Sequence, residues 1–111
     1  MKWNIIVHPK AALEINKLPI DMRAKLTRIL ELIENVGPLE LREPHVKSLG
    51  HKLMEIRLTG KSGISRIVYV VLNERKVTIL HAFVKKTQKT SRSVIECALK
   101  RLKEIKDEKV S

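Results

Sequence analysis

Lys52-Leu53-Met54-Glu55-Ile56-Arg57-Leu58-Thr59, Gly60-Lys61-Ser62-Gly63 and Ile64-Ser65-Arg66-Ile67-Val68-Tyr69-Val70-Val71-Leu72 form the stretch whose reading decides the fold. In its first part Met54, Ile56 and Leu58 fall on one side and Glu55 and Arg57 on the other, the period of a β-strand. Gly60 to Gly63 has turn composition, and Ile64 to Leu72 is rich in β-branched residues, as a second strand should be. Asn73-Glu74 marks a tight turn, and Val77 to Val84 is then a third strand. Its weak alternation means that both of its faces are covered or that one of them lines a site.

Upstream, Trp3 to Val7 is a short apolar run that suits a first strand. Pro9 is well placed in the first turn of a helix over residues 9–17, closed by Leu18-Pro19. Met22, Leu26, Ile29, Leu30 and Ile33 recur at spacings of three and four, one buried helical face, and Gly37-Pro38 stops that helix. The two helices form an antiparallel hairpin. Residues 38–51 read as a loop. Downstream, Ser93-Val94-Ile95-Glu96 has capping-box spacing and starts a last helix. Its stripe is Ile95, Ala98, Leu99, Leu102 and Ile105, with Lys100, Arg101, Lys103 and Lys106 left in solvent. The predicted order is β-α-α-β-β-β-α, an α+β fold with a helical hairpin packed on a small antiparallel sheet and a C-terminal helix, one domain over residues 1–111.

Lysine and arginine outnumber aspartate and glutamate by 23 to 12, a net charge of +11 in 111 residues. Such a field attracts polyanions: nucleic acid, an RNA-rich particle or an acidic protein. Cys97 is the single cysteine, which points to a reducing compartment. The N-terminus carries no apolar signal-type stretch and no run approaches membrane-spanning length, so a cytoplasmic protein is expected.

Phosphate loops, paired zinc-ligand spacings and nucleophile elbows are missing from the sequence. The four histidines (His8, His45, His51, His81) are scattered, so neither a metal nor another cofactor is expected. Cations on strands remain. Arg66 stands inside an otherwise apolar strand and must reach water, a carboxylate or a ligand phosphate. Beside Arg57 on one face it would form a phosphate clamp; paired with Glu55 it would be an ion pair, and both can hold together. Beyond it, His81 to Lys89 gathers a histidine, an aromatic ring and three lysines. Metal-free RNA cleavage by the neighbouring 2′-OH needs a base, cations for the transition state and an acid. Lysine, arginine and histidine can supply these, and Phe83 can stack on a base. Strict alternation puts Ala82 and Val84 on the face of Lys86, with His81 and Phe83 opposite, where both can equally pack as core residues.

With those residues in hand, the chain resembles the RelE/ParE toxin superfamily, in its HigB-like, phage-associated branch, over roughly residues 3–105. Leu53-Met54-Glu55-Ile56-Arg57 is similar to an L-x-E-L-R strand and Ser65-Arg66-Ile67-Val68-Tyr69 to a Y-R-x-x-Y strand. The most specific block, Leu80-His81-Ala82-Phe83-Val84-Lys85-Lys86-Thr87-Gln88-Lys89-Thr90, is close to L-H-x-F-x-K-K-T-x-K-T. The resemblance implies a toxin of a type II toxin–antitoxin system, a ribosome-dependent mRNA endonuclease that inhibits translation. Its implied partners are a helix-turn-helix, HigA-like antitoxin, the ribosome and mRNA, with operator DNA reached only through the antitoxin complex and no membrane. By position, Arg57 and Arg66 would contact phosphate and Lys85 or Lys86 would be the transition-state cation or acid. Glu55 stands where RelE itself has a lysine, which leaves the general base open. Ser65 and Ser91 are further departures from the family pattern.

The expected catalytic set is Arg66, Lys85, Lys86 and His81, and the expected RNA- and phosphate-binding set is Arg57, Lys52, Lys89 and Phe83. Two other readings stand beside the nuclease: a ParE-like gyrase inhibitor that catalyses nothing, and an inactive phage-derived remnant that binds RNA or a partner. Clustered cations favour the nuclease, since a gyrase binder needs none.

Overall fold

β4 (Gly63–Leu72) is the strand on which the others are assembled, with residues 65–70 all buried. The computed structural model describes residues 2–38, 46–73, 75–84 and 91–110, the last five by backbone alone. β3 (Leu53–Gly60) and β5 (Lys76–Val84) pair antiparallel with β4 on either side. β2 (Val46–Gly50) continues the sheet beyond β3, and β1 (Asn4–Val7) lies parallel to β5. The sheet order is β1-β5-β4-β3-β2.

The helices divide between the two faces. α1 (Pro9–Asn16) and α2 (Ile20–Val36) supply Ala11, Met22, Leu26 and Ile33, which pack with Ile56, Leu58, Ile67, Tyr69, Ile79 and Ala82. α3 (Arg92–Val110) sets Ala98 and Ile105 against Leu53, Val68, Val70 and Leu80 on the other face. Coverage on both sides is why β4 and β5 read as near-continuous apolar runs. Each fully buried aliphatic side chain stabilises the fold by about 2 kcal/mol, so the first cluster holds α1, a helix of only 8 residues that would be marginal alone.

The α+β class, the helical hairpin and the C-terminal helix are as expected, and three details differ. Val46–Gly50, inside the stretch read as a loop, is a strand. It joins β3 through His51-Lys52, both at positive φ (55° and 68°). This is the turn that matches strand twist, formed here without the Asn-Gly signal that usually announces it. The sheet is mixed rather than antiparallel, because the α1–α2 hairpin carries the chain from β1 at one edge to β2 at the other. α3 starts earlier than expected: the Val94 N–H lies 3.4 Å from Ser91 Oγ, so Ser91 caps the helix and Ser93 sits within its first turn. At the Asn73-Glu74 turn, Glu74 is outside the described residues; Leu72 pairs with Lys76 across it, with Arg75 at φ 57°.

Gly37 ends α2 at φ 90°, ψ 164°, a region essentially restricted to glycine. A Cβ there would stand 2.7 Å from Trp3 Nε1. Gly37→Ala is therefore expected to lose about 2–3 kcal/mol in urea unfolding, the strain of that backbone region with the clash added. Gly50→Asn, also at positive φ but with nothing within 4 Å of its Cβ, should lose less than about 1 kcal/mol.

Candidate functional site

Strand register builds the site. Arg57 on β3 is the cross-strand partner of Arg66 on β4, and Arg66 is the partner of Phe83 on β5. Arg57, Arg66 and Phe83 thus form one row over three strands, spaced about 4.8 Å apart. The next row is Glu55, Val68 and His81. Both rows lie on the face that carries α3, since Val68 belongs to the cluster packed on that helix and Phe83 packs against it.

Arg66 is buried and forms an ion pair with Glu55, which is 1% exposed. The pair does not exhaust the guanidinium: its Nε has no hydrogen-bond partner among the described residues. Burial draws the Arg66 pKa below its ordinary value. Arg57 beside it is exposed. Like charges directly opposite each other on adjacent strands repel, and Glu55 offsets only one of the two. The row therefore keeps a surplus positive charge with planar donors, suited to a phosphate oxygen. Of the two readings open from the sequence, the ion pair with Glu55 is formed, and it leaves Arg57 and Arg66 side by side.

A register shift in β5 sets the second half of the site. Val68 pairs with His81 and Tyr69 with Ile79, leaving Leu80 as the extra residue of a bulge. Leu80 joins the α3 cluster while His81 stacks on Phe83, their ring centroids 5.1 Å apart at 30°. β1 pairs with β5 only as far as Ile79. Past that point Glu14 of α1 takes up the edge: Glu14 Oε1 accepts the Ala82 N–H at 3.1 Å and lies 2.8 Å from His81 Nδ1. Arg101 of α3 grips the same carboxylate with two nitrogens, at 2.7 and 2.9 Å, and donates to the Leu80 carbonyl at 2.9 Å. Burial raises the Glu14 pKa, but the hydrogen bonds from Arg101, His81 and the Ala82 N–H outweigh it and leave the group below its ordinary value. The Arg101 pKa is raised, chiefly by its hydrogen bonds to Glu14.

Of the expected residues, the fold brings Arg57, Arg66, His81 and Phe83 together. His81 and Phe83 are half-packed beneath the helices rather than free on the surface. Lys52 stands apart from these four: it sits in the β2–β3 turn, five residues along the chain from Arg57, about 17 Å by strand rise. Lys85, Lys86 and Lys89 lie outside the described residues. Arg101, expected in solvent, is 9% exposed. Glu14 and Arg101 were legible in principle. Glu14 follows Ala11 by three and precedes Leu18 by four; Arg101 follows Ala98 by three and precedes Ile105 by four. A charge of each sign on an apolar helical stripe calls for a partner. Tyr69 faces the α1–α2 core, where burial pushes its phenol to about 12. No group of three His, Cys, Asp or Glu side chains that could hold a metal occurs among the described residues. None of their helices is long and apolar enough to cross a membrane.

The sequence profile of the phage-derived Gp49-like proteins (DUF891) matches residues 13–103. The chain belongs to that family. This Gp49-like chain also shares its fold with solved structures of RelE. The free state of an Escherichia coli toxin RelE double mutant superposes with a TM-score of 0.65 at 23% identity, covering 91% of this chain and 98% of that one. The RelE–RelB complex of the archaeon Pyrococcus horikoshii OT3 gives 0.55 at 20% identity, covering 74% and 93%. A comparison with curated proteins finds no match. The Gp49-like chain thus has the RelE fold.

The Glu14 tie should make stability depend on pH. Its folded pKa lies below the ordinary 4.5, so the contribution is fully present above about pH 4.5 and is lost as pH falls through the folded value. Glu14→Gln should cost about 1–2 kcal/mol at pH 7. In urea unfolding between pH 7 and pH 3 that difference from the parent chain should shrink toward zero; a difference constant with pH would show the charge to be irrelevant.

Proposed function

We propose that this chain is the toxin of a type II toxin–antitoxin pair, a metal-independent endoribonuclease that cuts ribosome-bound mRNA and so inhibits translation. The row Arg57–Arg66–Phe83 carries this reading: two guanidinium groups and an aromatic ring side by side on one sheet face, able to hold a phosphate and stack a base. The RNA 2′-OH would attack the adjacent phosphate, the arginines stabilising the charge that develops on its oxygens. Lys85 or Lys86, which follow directly in the chain, would be the further transition-state cation or the acid for the leaving oxygen, with Lys89 as an outer phosphate contact. A net charge of +11 supplies the long-range attraction to RNA and the ribosome.

A HigA-like, helix-turn-helix antitoxin would hold the protein inactive in the cytoplasm and bring it to operator DNA only as part of the complex. The fold shared with the archaeal RelE of a RelE–RelB complex supports an antitoxin partner.

Expression alone should arrest growth, and co-expression of an adjacent helix-turn-helix gene should restore it. Mapping the 5′ ends of cellular mRNA after induction should reveal codon-phased cuts in translated messages; intact messages with stalled gyrase would overturn the nuclease. Arg66→Ala is a poor probe, since removing one partner of a buried ion pair costs about 3–5 kcal/mol. Arg66→Lys keeps the charge opposite Glu55 and loses the planar fork. It should stay folded by circular dichroism and cut about 100-fold more slowly.

A further inference from the structure

His81 is placed by its register beside the arginine row, and its two ring nitrogens have unlike surroundings. Nδ1 lies 2.8 Å from Glu14 Oε1. The same carboxylate already accepts two nitrogens of Arg101 and the Ala82 N–H. A carboxylate receiving three donors is ionised and can only accept. The Nδ1 at that distance must therefore carry the ring proton. Arg101 Nη1 also stands 3.2 Å from Nδ1. Since Nδ1 holds the proton, this approach is a contact; Arg101 Nη1 donates instead to Glu14 and to the Leu80 carbonyl. The lone pair of the neutral ring then resides on Nε2, across the imidazole from Glu14, where no described residue hydrogen-bonds to it. The stack on Phe83 fixes the ring plane.

Resting on the nuclease reading above, we infer that His81 is the general base of the cleavage and that Glu14, held by Arg101, is the positioning residue that keeps the proton of the neutral ring on Nδ1 and so leaves the lone pair on Nε2. Nε2 takes the proton of the RNA 2′-OH as the 2′-oxygen bonds to phosphorus. The bond from phosphorus to the 5′-oxygen breaks, and that oxygen leaves with the proton of the lysine acid proposed above, Lys85 or Lys86. The products are a 2′,3′-cyclic phosphate and a 5′-hydroxyl. A carboxylate bonded to Nδ1 fixes tautomer and orientation, as it does wherever a histidine acts through Nε2. Glu55, in the same row as His81, is engaged with Arg66 and is not available for that task. Among the described residues, the charged groups nearest the ring are Glu14 from α1, Arg101 from α3, and the Glu55–Arg66 pair from β3 and β4.

Two measurements test this on the full chain. Long-range nitrogen–proton NMR near pH 7.5 should show the neutral His81 ring protonated on Nδ1. In Glu14→Gln it should shift toward the Nε2–H form that free imidazole side chains prefer. A parent ring protonated on Nε2 would overturn the inference. Cleavage of a translated message on ribosomes from pH 5 to 9 should be about 10- to 100-fold slower in Glu14→Gln, with the acid limb of its profile displaced, and Glu14→Asp should recover part of the rate. Circular dichroism at the same pH values separates this from unfolding. If the parent cuts and Glu14→Gln cuts with the same rate and profile, the inference falls and the nuclease stands. If the parent leaves the message intact, the nuclease reading fails and the inference with it.

Discussion

β1 stops opposite Ile79 while β5 runs on to Val84, and this mismatch in strand length is the constraint around which the other parts are arranged. Backbone groups beyond the end of β1 need partners, since an unpaired buried N–H or C=O costs free energy comparable to a lost hydrogen bond. Side chains from both helical layers supply them: Glu14 takes the Ala82 N–H and Arg101 the Leu80 carbonyl. The two side chains then bind each other around the strand edge, so one ion pair ties α1 on one face of the sheet to α3 on the other. A fully satisfied polar network of this kind specifies a single arrangement. It also covers an edge that could otherwise pair with another chain.

The bulge at Leu80 connects this tie to the sheet face. One extra residue lets Leu80 pack under α3 while His81 still meets Glu14 at the edge and Phe83 still meets Arg66 in the ladder. Without the shift, alternation would send either Leu80 or both His81 and Phe83 toward α1 and α2. The apolar cluster under α3 and the polar row beside it therefore depend on the same local irregularity. Arg66 can sit in the most buried strand because Glu55 enters from β3 one row away, and Arg57 keeps an exposed positive charge on that face.

Much of this was legible beforehand. The alternation in Met54, Ile56 and Leu58 placed β3 correctly, with Glu55 and Arg57 on the opposite face. The apolar run around Arg66 marked it as needing a partner, and the carboxylate named for it, Glu55, is the one it has. The strand Val46–Gly50 escaped because its turn is made by His51 and Lys52, residues that rarely take positive φ. Lys52 lies in that same turn, before β3 begins, five residues from Arg57.

Local patterning, with its periods of 2 and 3.6, determined from sequence alone most of the elements and their buried faces, while strand register decided that Arg57 and Arg66 share a row. Glu14 and Arg101 were another matter. They lie 87 residues apart, and each alone reads as a charge on an amphipathic helix. Their pairing requires two helices to reach the same strand edge from opposite faces. Only the tertiary structure could decide that, because ion pairing depends on distance in space and is indifferent to distance along the chain.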